Sequence, residues 1–339
     1  MAKRATMVEI AQKAGVSQAT VSLVLSGVTN ARIAEETRAR VRAVAEEMGY
    51  VRKAALPRSG VRVIGLLIDE VMATPFAAQF IEGARMEAAA QGALVAVYCT
   101  GGEPEVEAAA VEVLQGAALV GVLYTVLVTR TVKPPVAVQG LPVVLLNCHA
   151  TGRGMTSVVP ADVTGAYAAT VHLIAAGHRR IAHIAGESWG EAARDRSLGY
   201  RRALASHDIA FRGEYLAGPA WTAVTGREVA LGLLDLAEPP TAIFCFNDRV
   251  ALGCYEALAE RGLSVPGDIS IMGFDNDEIA ATLQPPLTTM ILPHEEMARW
   301  AVADLLARAG GPTVPHQVKI ECELVPRGSV ATPRFDRTE

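Results

Sequence analysis

Seven side chains have the chemistry to bind a small polar molecule, and each follows a short apolar segment or lies in the loop after one. They combine carboxylate, amide, guanidinium and aromatic groups: Asp69, Phe76, Asn147, Arg196, Trp221, Asn247 and Asp275. Planar polar groups bind vicinal hydroxyls with fixed geometry, and an indole covers the apolar face of a sugar ring. The set predicts a binding site for a sugar or a nucleoside.

Four of these residues also have a purely structural interpretation. Arg196 and Asp275 could form an ion pair within one lobe or between two domains. Trp221 and Phe76 could belong to an apolar core, where large aromatic side chains are common. Both interpretations stay open at the level of sequence.

The elements that must position these residues alternate along the chain from Val61 onward. Seven short apolar segments are typical of strands buried on both faces: 63–68, 94–98, 119–123, 143–146, 181–185, 242–246 and 269–272. Amphipathic helices such as 77–90, 165–175 and 250–260 lie between them. Alternation of this kind predicts parallel sheets covered by helices, and the length allows two such lobes. Ligands of such sheets bind beyond the carboxyl ends of the strands, here in the cleft between lobes.

The first 50 residues have a different pattern, three short helices. Thr6 and Glu9 form a capping box, so a first helix begins near Met7, and Gly15 is placed to end it in a left-handed turn. Ser17 caps a second helix, from Gln18 to about Leu25. A third extends from about Ala34 to Met48, with Arg38, Arg40 and Arg42 on its surface and Gly49 after its end.

Three helices of this kind form a helix-turn-helix unit, which presents its second helix to the DNA major groove. A small helical cap is the alternative. The outer face of the second helix has short side chains suited to a groove floor. We expect DNA contacts from Thr6, Ser17, Gln18, Ala19, Thr20, Ser22 and Leu23.

Charge is distributed unevenly between the two parts. Residues 1–60 contain ten Lys and Arg and five Asp and Glu, a net charge of +5, whereas the whole chain has −5, so residues 61–339 have −10. Phosphate attracts the first part and repels the second. We therefore expect only the N-terminal part to contact nucleic acid.

The segment MVEIAQKAGVSQATVSLVLSG resembles the start of the LacI/GalR family of bacterial repressors. Further stretches are similar to that family in the expected order: TPFAAQFIEGAR, HLIAAGHRRIAHIAG, RSLGYRRAL, FNDRVALGCYEAL, GLSVPGDISIMGFDN and LQPPLTTM. The resemblance implies an all-α helix-turn-helix head, 1–50, on a periplasmic-binding-protein-like α/β body, 62–339, of two doubly wound parallel-sheet lobes. The chain would cross three times between an N-lobe, about 62–160 plus 291–320, and a C-lobe, about 161–290 plus 321–339.

The resemblance also implies a function. A homodimer would bind near-palindromic double-stranded operator DNA, and an effector in the interlobe cleft, contacted by Arg196, Trp221, Asn247 and Asp275, would change the DNA affinity. Whether the effector releases DNA or acts as a corepressor stays open, as does a tetramer, although the C-terminus lacks a heptad repeat.

Three departures from the family pattern stand out: Leu23 replaces an Arg common in relatives, Ala34 replaces a capping Ser, and the linker is short. In addition, Asn147 stands where many relatives have an Asp.

The linker, 51–61, is shorter than usual and contains Pro57, so we expect an atypical or absent hinge helix. Leu56 could still wedge into the minor groove. Otherwise Lys53 and Arg58 would contact phosphates from an extended linker.

Other classes of protein fit the sequence less well. The chain has no N-terminal export signal and no stretch of about 18 apolar residues, which predicts a soluble cytoplasmic protein and argues against a transport binding protein. The five cysteines are scattered and are expected to be reduced core residues. No catalytic, metal or cofactor motif is found, so we expect no enzyme activity, no metal and no cofactor. His178 is expected to be a surface residue near a helix end.

Overall fold

The computed structural model describes residues 7–25, 33–48, 61–72, 76–115, 118–134, 138, 140–151, 154–308 and 314–334. The chain forms two compact units, Met1–Gly60 and Val61–Glu339, which we call the head and the body. Three predicted DNA contacts, Thr6, Lys53 and Leu56, lie outside the described residues, as does the linker from 51 to 60. The side chains of Ala19, Ser22 and Leu23 are likewise outside the description.

The head contains three helices close to their predicted bounds: α1 (Met7–Ala14), α2 (Gln18–Leu25) and α3 (Glu35–Glu47). Their apolar faces meet around Ile10, Val21 and Val41, each 0% exposed. Since a helix of 8 residues is marginal alone, this shared core stabilises the unit.

Two local signals in the sequence determine the turn between α1 and α2. Gly15 has a φ of +66°, and the amides of Gly15 and Val16 donate to the carbonyls of Gln12 and Ala11 at 3.3 and 3.0 Å. This hydrogen-bond pair is the Schellman ending of a helix. Ser17 then caps α2, because its Oγ accepts from the Thr20 amide at 3.1 Å.

One expectation for α3 is wrong. Arg38 was expected on the surface but is only 7% exposed, and its Nε donates to the Ile33 carbonyl at 3.4 Å. Arg40 contacts α1 instead of solvent alone, with Nε donating to the Ala14 carbonyl at 3.2 Å. The two guanidiniums satisfy carbonyls at helix boundaries, which a sequence pattern does not reveal.

In the N-lobe, six parallel strands have the order β11-β5-β4-β3-β1-β2. The elements are β1 (Arg62–Ile68), α4 (Phe76–Ala90), β2 (Ala93–Cys99), α5 (Pro104–Gln115), β3 (Leu119–Val132), β4 (Val143–Ala150), β5 (Thr156–Pro160), α11 (His294–Arg308) and β11 (Gln317–Ile320). Helices α4 and α11 pack on one face of this sheet, and α5 packs on the other.

In the C-lobe, four parallel strands have the order β7-β6-β8-β9. Its elements are α6 (Asp162–Ala175), β6 (Ile181–Ile184), α7 (Glu191–Ser206), β7 (Leu216–Ala217), α8 (Ala223–Leu234), β8 (Ala242–Cys245), α9 (Asp248–Glu260), β9 (Ser270–Met272), α10 (Glu278–Thr282), β10 (Thr289–Met290) and β12 (Leu324–Val325). Helices α6 and α7 cover one face, and α8 and α9 cover the other. The antiparallel pair β10–β12 lies beside the segments that connect the lobes.

Strand β3 differs most from its prediction, because it continues to Val132 instead of ending near 123. Its pairing with β4 shifts between Thr125 and Arg130, a bulge that turns residues 126–129 out of the ladder. Five further strands, β5, β7, β10, β11 and β12, were not predicted. Three of them, β7, β10 and β12, have only two residues, too few for a pattern, and polar residues interrupt the apolar character of β5 and β11.

Two other expectations are wrong. His178 is 1% exposed, with its ring nitrogens 2.9 Å from Thr241 Oγ1, Ser270 Oγ and the Ala331 carbonyl oxygen. It is buried because the C-terminal segment folds back over it. Cys99 is exposed on the edge strand β2, whereas the other four cysteines are buried and all five are free thiols. Among the described residues, no helix combines the length and apolar composition needed to cross a membrane.

Two glycine-to-alanine substitutions should change stability in opposite directions. A Cβ at Gly15 or at Gly232 would contact nothing within 4 Å, so only the backbone conformation matters. Gly15→Ala should destabilise the head by about 1 kcal/mol, because an L residue is strained at positive φ. Gly232→Ala, inside α8, should stabilise the body by about 0.5 to 1 kcal/mol. Hydrogen exchange resolved by segment measures both, and an unchanged head in Gly15→Ala would contradict the turn described for α1.

Candidate functional site

A cavity with an inner volume of about 100 Å³, or about 770 Å³ when the open space at its mouth is included, lies where the carboxyl ends of the strands of both lobes meet. We call it the interlobe cavity. It is lined by Glu70, Phe76, Leu127, Val128, Thr129, Asn147, Pro160, Ala192, Arg196, Trp221, Phe246, Asn247, Arg249, Asp275, Leu292 and His294. Residues of both lobes contribute to its wall, so it is the candidate ligand site of the body.

Six of the seven predicted ligand residues line this cavity, and they come from both lobes: Phe76, Asn147, Arg196, Trp221, Asn247 and Asp275. Asn247 and Asp275 follow β8 and β9 within three residues, whereas Asn147 lies in β4 and Arg196 in α7. Because parallel strands end at the same edge of a sheet, residues far apart in sequence converge there.

Asp69 is the exception and does not line the interlobe cavity. Its carboxylate accepts from the amides of Glu70 and Leu127 at 2.8 and 3.0 Å and from Arg130 Nη2 at 2.9 Å. It therefore ties the end of β1 to the bulge of β3. The sequence predicts Asp69 in the ligand site because it follows a strand. In the structure its carboxylate instead accepts a hydrogen bond from the Leu127 amide, which the bulge of β3 leaves free.

Arg196 is the most buried charged group of the cavity wall, with 3% of its side chain exposed. Its Nε donates to Asp162 at 2.8 Å, and its Nη1 donates to the Phe246 carbonyl at 2.6 Å and to Asp275 at 3.3 Å. The guanidinium carbon also lies 3.8 Å from the centre of the Phe274 ring. The structure thus combines both interpretations of Arg196: it is an ion-pair partner and part of the cavity wall.

A glycine makes the contact between Arg196 and Asp162 possible. Arg196 is on α7 and Asp162 begins α6, and a Cβ at Gly199 would overlap the Val163 carbonyl of α6. Only glycine allows the two helices to pack so closely at this position.

The carboxylates around Arg196 have shifted pKa values. Burial raises the pKa of Asp275 to about 7, although the positive charge of Arg196 acts to lower it. Burial raises the pKa of Asp162 as well, again opposed by Arg196. For Arg196 itself, burial acts to lower the pKa, but the two carboxylates outweigh it and the net shift is upward. The cluster thus retains a guanidinium cation beside an acid that titrates near neutral pH.

The two asparagines of the wall hold the backbone as well as line the cavity. Asn147, at a φ of +59°, donates from Nδ2 to the carbonyls of Val126 and Leu127 at 2.9 and 3.0 Å, and its Oδ1 accepts from Thr129 at 2.8 Å. An ionised aspartate could not donate these two bonds, which explains the amide at this position. Asn247 caps α9, since its Oδ1 accepts from the Val250 amide at 2.8 Å.

Aromatic rings line the cavity on both lobes. Trp221 lies 5.2 Å from Phe246 between ring centres, both in the C-lobe, and Phe76 lies 4.8 Å from the ring of His294 in the N-lobe. Trp221 is only partly buried, so its indole is not a core residue alone.

Sequence reasoning missed several wall residues, of which His294 is the most informative. It is 1% exposed, and burial lowers its pKa to about 3, so the ring is neutral at physiological pH. No described residue forms a hydrogen bond with its Nδ1. Its position at the start of α11, after the chain recrosses between the lobes, has no local sequence signal.

One hydrogen bond between side chains joins the two lobes beside the cavity. His149 Nε2, near the end of β4, lies 2.7 Å from Glu191 Oε2, the first residue of α7. Both side chains are about a quarter exposed. The contact links the N-lobe sheet directly to the helix that bears Arg196.

The head presents a separate candidate surface. Ser17 and Gln18 are exposed at the start of α2, and Thr20 is half-buried. Among the residues that the structure describes, no group of three or more His, Cys, Asp or Glu side chains is arranged to hold a metal ion.

Comparison with known proteins identifies both parts of the chain. Residues 6–53 match the family described as bacterial regulatory proteins, lacI family, and residues 170–330 match the periplasmic binding protein-like domain. The HTH-type transcriptional repressor CytR of Escherichia coli (strain K12) is 32% identical over 333 residues, which cover 96% of each chain.

Solved structures similar to this chain give the same identification. The chain is similar to a transcriptional regulator CelR–cellobiose complex, with a TM-score of 0.67 and 28% identity over 96% of this chain and 100% of that one. It is similar also to the lac repressor dimer bound to operator and the anti-inducer ONPF, with a TM-score of 0.68 and 26% identity over 97% and 100%. The chain belongs to the LacI family of bacterial regulatory proteins and is a DNA-binding transcriptional regulator with a helix-turn-helix head and a periplasmic-binding-protein-like body.

Proposed function

We propose that this regulator is a repressor whose affinity for a near-palindromic operator is controlled by a small effector, a sugar or a nucleoside, bound in the interlobe cavity. The observation that carries the proposal is the presence, in one chain, of a helix-turn-helix head and an interlobe cavity with polar and aromatic walls. Because relatives are regulators rather than enzymes, the cavity is proposed to bind its ligand and return it unchanged.

The walls support a polyhydroxylated ring as the ligand. Trp221 and Phe76 offer flat apolar surfaces, while Arg196 and Asp275 offer planar polar groups. Asp275 also has a φ of +113°, a strained conformation for a residue other than glycine. Strain of this kind is concentrated at functional sites, where the surrounding structure maintains it. The similar protein CelR was solved as a cellobiose complex, which supports a sugar as the class of ligand.

The head supports operator recognition by α2. Its exposed N-terminal residues, Ser17 and Gln18, have the short polar side chains that read base edges when a helix enters the major groove. Two heads bind two half-sites, so we propose a homodimer, as in the operator-bound lac repressor dimer. A protein of this function would act in the cytoplasm, where its operator is.

Effector binding is coupled to DNA binding through the relative orientation of the two lobes. An effector contacts Phe76 on one lobe and Trp221 on the other, so its binding favours one lobe orientation. The His149–Glu191 pair also joins the lobes and contributes to that equilibrium. A ligand that prefers one orientation changes DNA affinity by its coupling free energy, typically about 1 to 3 kcal/mol. The sign of the coupling distinguishes an inducer from a corepressor.

The experiment that tests the proposal selects bound sequences from a random duplex pool with the full-length protein, with and without neutral sugars and nucleosides. The expected result is enrichment of one near-palindrome whose binding one panel member weakens or strengthens. Binding that is only unspecific and salt-sensitive would contradict operator recognition.

Gln18 should contribute to the choice of operator. Gln18→Ala should relax or change the preferred base at one position of each half-site, because a side chain that contacts base edges discriminates by about 1 to 3 kcal/mol. The matched control is Lys13→Ala on α1, where Lys13 pairs with Glu47 at 2.8 Å. The control should keep the wild-type preference. The same selection experiment measures both, and an unchanged preference in Gln18→Ala would show that α2 is oriented differently.

Asp275 should be required for the effector response but not for DNA binding. Asp275→Asn retains the shape of the side chain and removes its charge, which should weaken effector binding by at least about tenfold. Asp268→Asn is the matched control, because Asp268 caps Ser264 and pairs with Arg334 away from the interlobe cavity. Titration calorimetry and operator binding measure the two functions. Loss of operator binding with unchanged effector affinity would make Asp275 a structural residue.

Effector affinity should also rise with pH around neutrality. The pKa of Asp275 is raised to about 7, so below pH 7 the carboxyl must release its proton before it can accept two hydrogen bonds from hydroxyls. Between about pH 6 and pH 8 the ionised fraction increases about tenfold, and affinity should increase with it. In Asp275→Asn this dependence should disappear. Affinity that falls as pH rises would show that the protonated acid is the binding form.

A further inference from the structure

We infer that the effector is electrically neutral and that the interlobe cavity rejects phosphorylated and carboxylated ligands. This inference rests on the proposed function of the same cavity and adds the charge class of its ligand. It is carried by the pairing of the cavity's cations and by the acids at the helix N-termini around it.

The buried cation of the wall, Arg196, is already paired with carboxyl groups. Arg196 contacts two carboxylates, Asp162 at 2.8 Å and Asp275 at 3.3 Å, and each of the three side chains is at most 10% exposed. An anionic ligand would have to compete for Arg196 with two carboxyl groups that already contact it, in a poorly hydrated environment where like charges repel strongly.

The second cation of the wall is paired as well. Arg249 Nε lies 3.6 Å from Asp277 Oδ2, and its side chain is 43% exposed. Glu70, also in the wall, adds a negative charge. Among the described residues, the two guanidiniums of the cavity are therefore outnumbered by Asp162, Asp275, Asp277 and Glu70.

The helix N-termini around the cavity are closed to anions. A phosphate usually binds the free amides and the positive dipole of a helix N-terminus. Here α6, α7, α9 and α11 each have an acid in the first turn: Asp162, Glu191, Asp248 and Glu295. Asp248 is 0% exposed and accepts from the Asp277 amide and from Thr289 Oγ1 at 2.8 and 2.6 Å.

The N-termini of the two other helices at the cavity, α8 and α4, have few groups that could bind an anion. Helix α8 has no acid in its first turn, but Thr222 caps the amide of Thr225, and Thr225 Oγ1 accepts from the amides of Thr222 and Trp221. Helix α4 begins at Phe76, whose ring lines the cavity. Among the described residues, neither helix has a basic side chain in its first turn to complete a phosphate site.

A neutral polyhydroxylated ligand fits the groups that remain. Asp275 accepts hydrogen bonds from hydroxyls, and Nδ1 of the neutral His294 has no partner among the described residues. Aromatic rings from both lobes cover apolar ring faces. These groups match hydroxyls and a ring rather than a formal negative charge.

The test titrates the full-length protein, at constant ionic strength, with pairs that differ only by a phosphate. Suitable pairs are ribose and ribose 5-phosphate, glucose and glucose 6-phosphate, and cytidine and cytidine 5′-monophosphate, with inorganic phosphate as the bare anion. Binding is followed by tryptophan fluorescence, and Trp221→Phe identifies the part of the signal that comes from the cavity. For any pair that binds, the phosphorylated member should bind at least about 100-fold more weakly. Inorganic phosphate should give no Trp221-dependent signal.

A gain-of-binding variant makes the charge argument falsifiable without knowledge of the natural effector. Asp275→Asn leaves Arg196 with one carboxylate, so it should bind inorganic phosphate at least about tenfold more tightly than the wild type. Arg249 retains its partner in this variant, and Asp268→Asn, far from the cavity, should behave as the wild type. If Asp275→Asn gains no phosphate affinity, the pairing of Arg196 does not cause the rejection and the inference is wrong.

The outcomes distinguish failure of the neutral-effector inference from failure of the proposed effector control of DNA binding. A phosphorylated compound that binds the wild-type cavity as tightly as its neutral partner, or more tightly, overturns the neutral-effector inference but leaves effector control intact. If anions are rejected and a neutral compound binds without any change in operator affinity, the charge inference holds and the proposed control of DNA binding fails.

Discussion

The body depends on one buried charge, the Arg196 guanidinium, and on the carboxylates that pair with it. Asp162 begins α6 directly after the chain first leaves the N-lobe sheet, and Asp275 follows β9 near the second crossing. Because none of these ions can be buried without its partners, the ion cluster determines where α6, α7 and the end of β9 lie relative to one another. Gly199 provides the close helix packing that the cluster needs.

The polar groups around the interlobe cavity serve first to shape it. Asn147 and Asp69 hold the bulge of β3, and Asn247 caps α9. Their hydrogen-bonding capacity is mostly used by the backbone, so aromatic surfaces and a few side-chain atoms are left to bind a ligand. This arrangement explains how the wall presents little free positive charge: Arg196 is buried beside two carboxylates, and the half-exposed Arg249 lies beside Asp277.

The head is organised by short-range interactions instead. A Schellman turn at Gly15 and a serine cap at Ser17 determine the angle between α1 and α2, and three helices share one small core. Two arginines, Arg38 and Arg40, complete the helix ends from α3. The basic charge of residues 1–60 and the acidic charge of the body divide the chain into a part that attracts phosphate and a part that repels it.

Local and periodic features were readable from the sequence alone. They include the turn at Gly15 that ends α1, the Ser17 cap of α2, the buried strands of both lobes and six of the sixteen residues that line the interlobe cavity, because parallel strands end at a common edge wherever they lie in the chain. Tertiary structure decided the rest. Asp69 is captured by the bulge of β3, His178 is buried by the returning C-terminus, and His294 reaches the cavity only after the chain recrosses between the lobes. These positions depend on contacts between segments distant in sequence, and such contacts leave no periodic or local pattern in the residues themselves.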